Sequence, residues 1–271
     1  MMKPLVSILI PTCNRPVFFE KALKSALNQT YQNTEIIICD NSDNDKTENI
    51  VKKYQAGRGG SKIRYVRNKE NIGPIANQHK CFRLAKGQYI NYLMDDDVFH
   101  PEKIARMMNY YLKYKGITLV TSRRRVIDVN GKLLNVPKKY KTFKILYPRD
   151  TIVEGKELGN RMLRDNTNYI GEPTTVLFRK KDLDEPLGMM NGRQALFAVD
   201  FVSWLNLLSK GNAVYVTKTL SYLRYHPDQL SQSAGAKILS ILDAPNILDY
   251  AKAKGFLKEK SKKKRKKGKS S

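Results

Sequence analysis

Acidic residues, cysteines and long apolar runs are what this sequence has least of, and each shortage excludes something. Twenty-five Asp and Glu stand against fifty Lys and Arg, a formal charge of +25 at pH 7. Such a balance selects an anionic partner: a nucleotide-linked substrate, a polyanion, a membrane surface or nucleic acid. The three cysteines, Cys13, Cys39 and Cys81, form no CxxC pair, so neither a zinc knuckle nor a disulfide framework is expected. Cys39 lies in an apolar run and reads as a core thiol in a reducing compartment. No apolar stretch approaches the roughly 18 residues that span a bilayer. The opening MMKPLVSILIPTCNR has a short apolar run without a signal-cleavage region and reads as a first strand. The expectation is a cytoplasmic protein. No GxGxxG, Walker A, GxSxG or internal repeat is present.

What is present is an ordinary globular balance, 41% hydrophobic and 28% charged over 271 residues. That supports one large α/β domain or a domain and a half. Part of the charge is local. Lys258–Ser271 holds nine Lys/Arg and one Glu, +8, which leaves +17 on the body. This tail has too little apolar surface to fold and is expected to be disordered. It suits peripheral contact with an anionic membrane. It also binds phosphates without sequence choice, and no aromatic-interleaved RNA-binding motif accompanies it, so no specific nucleic-acid partner is expected.

Strand and helix patterns alternate through the first part. Leu5–Ile10 is a β-branched run ended by Pro11, and a helix starts at Pro16. Glu35–Cys39 is a second strand ending at Asp40, followed by a polar loop and a helix carrying Ile50, Val51 and Tyr54. Ile63–Val66 is a third strand, and Ile75–Ala85 a helix after the turn Asn71-Ile72-Gly73-Pro74. Such alternation predicts a parallel sheet with right-handed crossovers. After Tyr114 the pattern changes. Strands are expected at Ile117–Ser122 and Arg125–Val129 with an Asn130-Gly131 turn between elements, then at Thr174–Phe178, Ala213–Val216 and Leu220–Tyr225. Helices are expected at Val153–Leu163, Phe197–Ser209 and Lys237–Lys254, and Asn135–Asp150 reads as a mobile loop.

The stretch that organises the chain is Tyr89–Lys103, YINYLMDDDVFHPEK: a buried strand to Met94, three carboxylates, then a helix opened by Pro101. In open α/β sheets, ligands sit beyond the carboxyl ends of strands. Adjacent carboxylates there suit Mn²⁺ or Mg²⁺ shared with substrate phosphates; a solvated acidic turn is the plain alternative. Asp40 either receives a ribose or base or caps its own turn. Asn14 and Arg15, after the first strand, can meet a diphosphate through the planar guanidinium. Asn71 and Gly73 shape a turn where backbone approaches a ligand closely. Asp200, flanked by Val199 and Phe201, reads as a desolvated general base or as a first-turn helix acid. Glu172 is an acceptor-side acid or a surface residue. His226 is a metal neighbour or a packed polar group. Trp204 falls within the apolar pattern of its helix and reads as core rather than as a sugar platform.

The runs VSILIPTCNRP, IIICDNSDND, NIGP and YINYLMDDDVFHPEK resemble the inverting family 2 glycosyltransferases of the GT-A fold, and among them the spore-coat polysaccharide type. The likeness is strong over residues 4–115. It is looser to about 232, through EPTTVLFR, FAVDFVSWL and YLRYHPDQLSQS. The resemblance implies a Rossmann-like, mostly parallel sheet with helices on both faces and a smaller mixed half. Residues 1–115 would form the nucleotide-sugar half and 116–257 the acceptor half. It implies a metal-dependent transfer from a UDP- or dTDP-linked sugar to a saccharide or glycan hydroxyl. Pro11, Thr12, Asn14 and Arg15 would then line the nucleotide pocket, with Asp40 at the base. Asn71, Gly73, Asp95 and Asp96 would complete the donor side. Asp96, Asp97 and His226 would hold Mn²⁺ or Mg²⁺, Asp200 would be the catalytic base, and Glu172 would lie on the acceptor side. Met94 stands where many relatives carry the first acid of the motif. The alternative function is a non-catalytic nucleotide-sugar or polyanion binder.

Overall fold

The computed structural model describes residues 3–136, 143–226 and 236–258. The Lys-rich segment beyond Lys258, and residues 137–142 of the segment expected to be a mobile loop, lie outside the described residues. Strand β1 (Val6–Thr12) is buried along all seven residues. That is the requirement on a strand covered on both faces, and it explains the unbroken apolar run. It pairs in parallel with β2 (Thr34–Asp40) on one side and β4 (Tyr89–Tyr92) on the other; β3 (Ile63–Arg67) extends the sheet beyond β2. The crossovers are α1 (Pro16–Leu27), α2 (Lys46–Gln55) and α3 (Pro74–Leu84). Pro16 and Pro74 stand in the first helical turn, where a missing N–H costs nothing.

The sheet continues through β5 (Val98–Phe99), β6 (Ile117–Ile127), β9 (Leu177–Arg179) and β12 (Asn212–Arg224), in the spatial order β3-β2-β1-β4-β9-β6-β12-β5. Two short strands, β7 (Leu133–Leu134) and β8 (Thr151–Val153), pair with β6 and β12. β9 runs antiparallel to both β4 and β6, whereas β6 and β12 are parallel. A separate hairpin joins β10 (Met189–Met190) and β11 (Arg193–Gln194). Helices α4 (Lys103–Lys113), α5 (Gly155–Asp165), α6 (Val199–Leu208) and α7 (Ala236–Ala253) complete the chain. Alternate residues of β1 feed two cores. Ile8 and Ile10 pack with Phe19, Leu23 and Met107, while Leu9 packs on the other face with Tyr92, Phe178 and Trp204. The expected architecture, a mostly parallel sheet with helices on both faces and a mixed second half, is what the chain adopts, and one sheet runs through both halves. Among the described residues, no helix is long and apolar enough to cross a membrane.

Several boundaries differ from expectation. The two strands expected at 117–129 are the single strand β6; Arg123–Arg125 interrupt the apolar pattern, yet Arg124 is buried within the strand. The two expected at 213–225 are likewise the one strand β12, whose register against β6 shifts between Val216 and Thr219. β4 ends at Tyr92, so Met94 belongs to the turn. Pro101 lies in a turn before α4 rather than opening it. Val153 is a strand residue; α5 begins at Gly155 because the Glu154 side chain accepts from the amides of Lys156 and Glu157. Pro173–Thr175 forms a 3₁₀ turn, and the strand starts only at Leu177.

Candidate functional site

Beyond β1 the winding reverses: β2 and β3 build outward on one side, and the chain then returns to place β4 on the other. The crevice at the carboxyl ends of β1 and β4 is therefore the topological switch point, the place where such sheets bind ligands. Asp95 lies there, 4% exposed, accepting from Thr12 Oγ1 at 2.9 Å and from the Cys13 amide at 3.4 Å. Arg15, at the start of α1, reaches Asp95 Oδ1 at 3.2 Å and Asp96 Oδ2 at 3.0 Å through one nitrogen. Burial and the neighbouring Asp96 push the Asp95 carboxyl up to about 6, with Arg15 and Thr12 opposing.

Asp96 Oδ2 also lies 3.0 Å from His226 Nε2. His226 is buried just past the end of β12, and among the described residues its Nδ1 has no hydrogen-bond partner. The His226 ring lies 5.2 Å from that of Phe18 on α1. The structure thus brings Arg15, Asp95, Asp96 and His226 together from three distant parts of the chain. Asp97 differs. Its Oδ2 takes the Thr174 hydroxyl and its Oδ1 accepts the Arg224 amide at 3.0 Å. Burial and Asp96 raise its carboxyl well above the ordinary range. Both oxygens tie the turn to β12 and to the Pro173–Thr175 turn, an arrangement that leaves Asp97 a brace rather than an open ligand. Among the described residues, no group of three or more His, Cys, Asp or Glu side chains is spaced to hold a metal. The donor set that remains, the Asp96 carboxylate and the His226 imidazole, offers the oxygen and nitrogen donors that Mn²⁺ accepts.

Asp40 stands at the end of β2 as expected, but it is fully buried. Its Oδ1 accepts the Ser42 amide at 2.8 Å and its Oδ2 the Tyr65 hydroxyl at 2.9 Å. This is the turn-capping geometry. Asn14 adopts a left-handed conformation, φ +54°, and its Oδ1 accepts from Asp43 and Asn44, joining the loops after β1 and β2. Asn71 Oδ1 accepts the Gly73 amide at 2.9 Å, and its Nδ2 donates to Cys13 Sγ. Gly73, at φ +83° and ψ +160°, needs the freedom of glycine, and a Cβ there would meet nothing within 4 Å. Pro11 sits inside β1 opposite Cys39.

A second acidic group lies across the Pro173–Thr175 turn. Thr174 contacts Asp97 and accepts the Met94 amide, and Glu172 immediately precedes the turn. Asp200 occupies the first turn of α6, accepting from Asn168 Nδ2 at 2.9 Å and from the Phe201 amide. Burial first, and the charge of Glu172 second, push its carboxyl up to about 6. Arg124 Nε lies 2.7 Å from Glu172 Oε2, an ion pair too bent to be a hydrogen bond, and it counters that charge. Trp204 is wholly buried with its indole N–H donating to the Gly171 carbonyl, a core residue as expected.

The residues that sequence reasoning missed are those whose work is to hold others: Thr174, Arg224, Asn168, Arg124 and Asp243. Arg224 is 1% exposed and donates to the carbonyls of Asp96, Asp128 and Val129. Asp243 is buried on α7 and accepts the amides of Leu196, Phe197 and Ala198, at 2.9, 2.8 and 2.9 Å, just before the helix that carries Asp200. Its signal was available: a lone acid between apolar residues in Ile241-Leu242-Asp243-Ala244.

Residues 7–185 match the model of "Glycosyl transferase family 2". The chain is 35% identical over 145 residues to an uncharacterized glycosyltransferase, MJ1057, of Methanocaldococcus jannaschii, a match covering 52% of this chain and 49% of that protein. It is 32% identical over 133 residues to chondroitin synthase of Escherichia coli, covering 49% of this chain and 19% of the synthase. The chain thus spans half or less of the length of these relatives. Among solved structures, residues 1–349 of S. aureus TarS in complex with UDP-GlcNAc superpose with a TM-score of 0.67 at 20% identity, over 90% of this chain and 66% of that one. That likeness establishes the shared fold.

Proposed function

The chain belongs to glycosyl transferase family 2, and from that membership we propose that it moves a sugar from a nucleoside diphosphate to a hydroxyl of a saccharide or glycan acceptor, with inversion at the anomeric carbon. The observation that carries this reading is the pairing of two acidic groups through one short turn. Asp95 and Asp96, bound to Arg15, lie at the switch point, and the desolvated Asp200 lies beyond Glu172–Thr175. The first group suits a diphosphate and the second a hydroxyl that must lose its proton. UDP-linked donors are the first class to test, because the TarS neighbour holds UDP-GlcNAc and UDP; dTDP-linked sugars are the second.

In this mechanism the Arg15 guanidinium meets the diphosphate, and Thr12, Asn14 and the turn at Asn71–Gly73 line the nucleotide. Asp96 and His226 would hold Mn²⁺ or Mg²⁺, which when bound offsets the negative charge of the diphosphate. Asp97 and Arg224 keep Asp96 in place. Asp200 accepts the proton of the acceptor hydroxyl. That oxygen forms a bond to the anomeric carbon from the face opposite the diphosphate, and the breaking carbon–oxygen bond leaves its electron pair on the diphosphate. One displacement inverts the centre. Glu172, held by Arg124, keeps negative charge beside Asp200 and favours its protonation once the proton has moved. The test is release of nucleoside diphosphate from UDP- and dTDP-sugars with Mn²⁺ and saccharide acceptors. Release that depends on acceptor supports transfer. Nucleotide-sugar binding with no acceptor-dependent release leaves only a binding module.

A further inference from the structure

Helix α7 is apolar on two opposite faces. The inner face is accounted for: Tyr250 and Ala251 are buried, Ile247 packs against the core, and Tyr250 receives a hydrogen bond from Asn206 of α6. The outer face is not. Ile238, Ile241 and Leu242 are 63%, 71% and 54% exposed, with Leu248 further along. Their spacing, i, i+3 and i+4, puts them on one stripe of the helix, and Pro245 and Lys252 fall on the same stripe. Leu196 and Phe197, whose amides bond to Asp243 on the inner side of α7, are also partly exposed. Arg193 bonds to Asn246 at 3.1 Å and sets a cation at the border. Asp249 is exposed and lies on the stripe as well, four residues past Pro245 in the second half of the helix.

Single exposed Leu or Ile residues need no explanation, but four exposed aliphatic side chains on one side of a helix do. The charge of the chain decides which occupant fits. The segment after Phe256 is the most basic in the protein, nine Lys/Arg and one Glu from Lys258 to Ser271, and the whole chain carries +25. A second copy would bring the same charge and repel. An aliphatic face joined to a polybasic segment matches a bilayer with anionic headgroups, where apolar insertion and charge attraction add and neither alone holds firmly. We propose that the outer face of α7 docks on an anionic membrane surface, the basic C-terminal segment being the second contact.

The experiment is co-sedimentation of the full chain with vesicles of phosphatidylcholine alone and of phosphatidylcholine with phosphatidylglycerol. The expected result is binding to the anionic vesicles only, weakened by added salt. Replacing Ile241 and Leu242 together by Ser should reduce that binding roughly tenfold or more, with an unchanged melting temperature and circular dichroism spectrum. Replacing Lys262, Lys263 and Lys264 by Gln should reduce it as well. No binding by the unaltered chain overturns the proposal, and so does wild-type binding by the folded Ile241/Leu242 variant. Self-association of the unaltered chain that this variant loses would assign the face to a second copy and overturn it too.

Discussion

Asp200 bonds Asn168 and the Phe201 amide, and burial with the charge of Glu172 holds its carboxyl near 6. A base must be ionised to act, so kcat/KM is expected to rise with pH through about 6 and level off above it; a pH–rate profile checks this. Asp200→Asn is expected to bind nucleotide-sugar normally and to lose about 10³-fold or more of its turnover. The same residue costs stability. The unfolded chain ionises Asp200 near the ordinary carboxylate value and the folded chain only near 6, so stability falls as pH rises through that window and stays lower above it. Removing the charge relieves about 2–3 kcal/mol at pH 8, and the amide forfeits one hydrogen bond of about 1 kcal/mol. Urea unfolding should show Asp200→Asn more stable than the unaltered chain at pH 8 by roughly 1–2 kcal/mol, the gain vanishing near pH 4. The flanking Val199 and Phe201 made this desolvation legible in the sequence. The part played by Glu172 was not, because 28 residues separate them and only the fold closes that gap.

Between elements, the decisive contacts are braces. The Pro173–Thr175 turn leads into β9, accepts a hydrogen bond from Asn91 of β4 and carries Thr174 to Asp97, while α7 presents Asp243 to the three amides that precede α6. Asp243→Ala leaves those three N–H groups without their acceptor and is expected to cost about 2–3 kcal/mol in urea unfolding. By loosening the start of α6 it should lower kcat while leaving the KM for nucleotide-sugar unchanged. Asp243→Asn, which keeps an acceptor oxygen, should recover most of both losses. Strand and helix positions were readable in the first half because the strands there are short unbroken apolar runs and the helices follow a period of 3.6 residues. In β6 and β12 the period fails. Arg124 and Arg224 are buried in strands, their charge met by Glu172 and by backbone carbonyls that no local pattern reveals.

For the whole molecule, ligand linkage tests the switch-point site without any acceptor. UDP at about a hundred times its Kd stabilises the fold by roughly 2.7 kcal/mol, a rise of roughly 5 °C in melting temperature for a chain of this size. With Mn²⁺ present the rise should be full; with EDTA, or in Asp96→Asn, it should be much smaller. An equal rise in EDTA would remove Asp96 and His226 from metal binding. The sequence by itself determined the strand–helix alternation and the family, since apolar periodicity, prolines at helix starts and the run ending in Asp95-Asp96-Asp97 are all local signals. Tertiary structure alone decided which of the three acids faces outward. Asp97 is consumed by Thr174 and Arg224, from residues 77 and 127 positions away, and Asp96 is left beside Arg15 and His226. The physical reason is that a carboxylate has two oxygens to satisfy. Which partners reach them depends on chain segments brought together only when the sheet is complete.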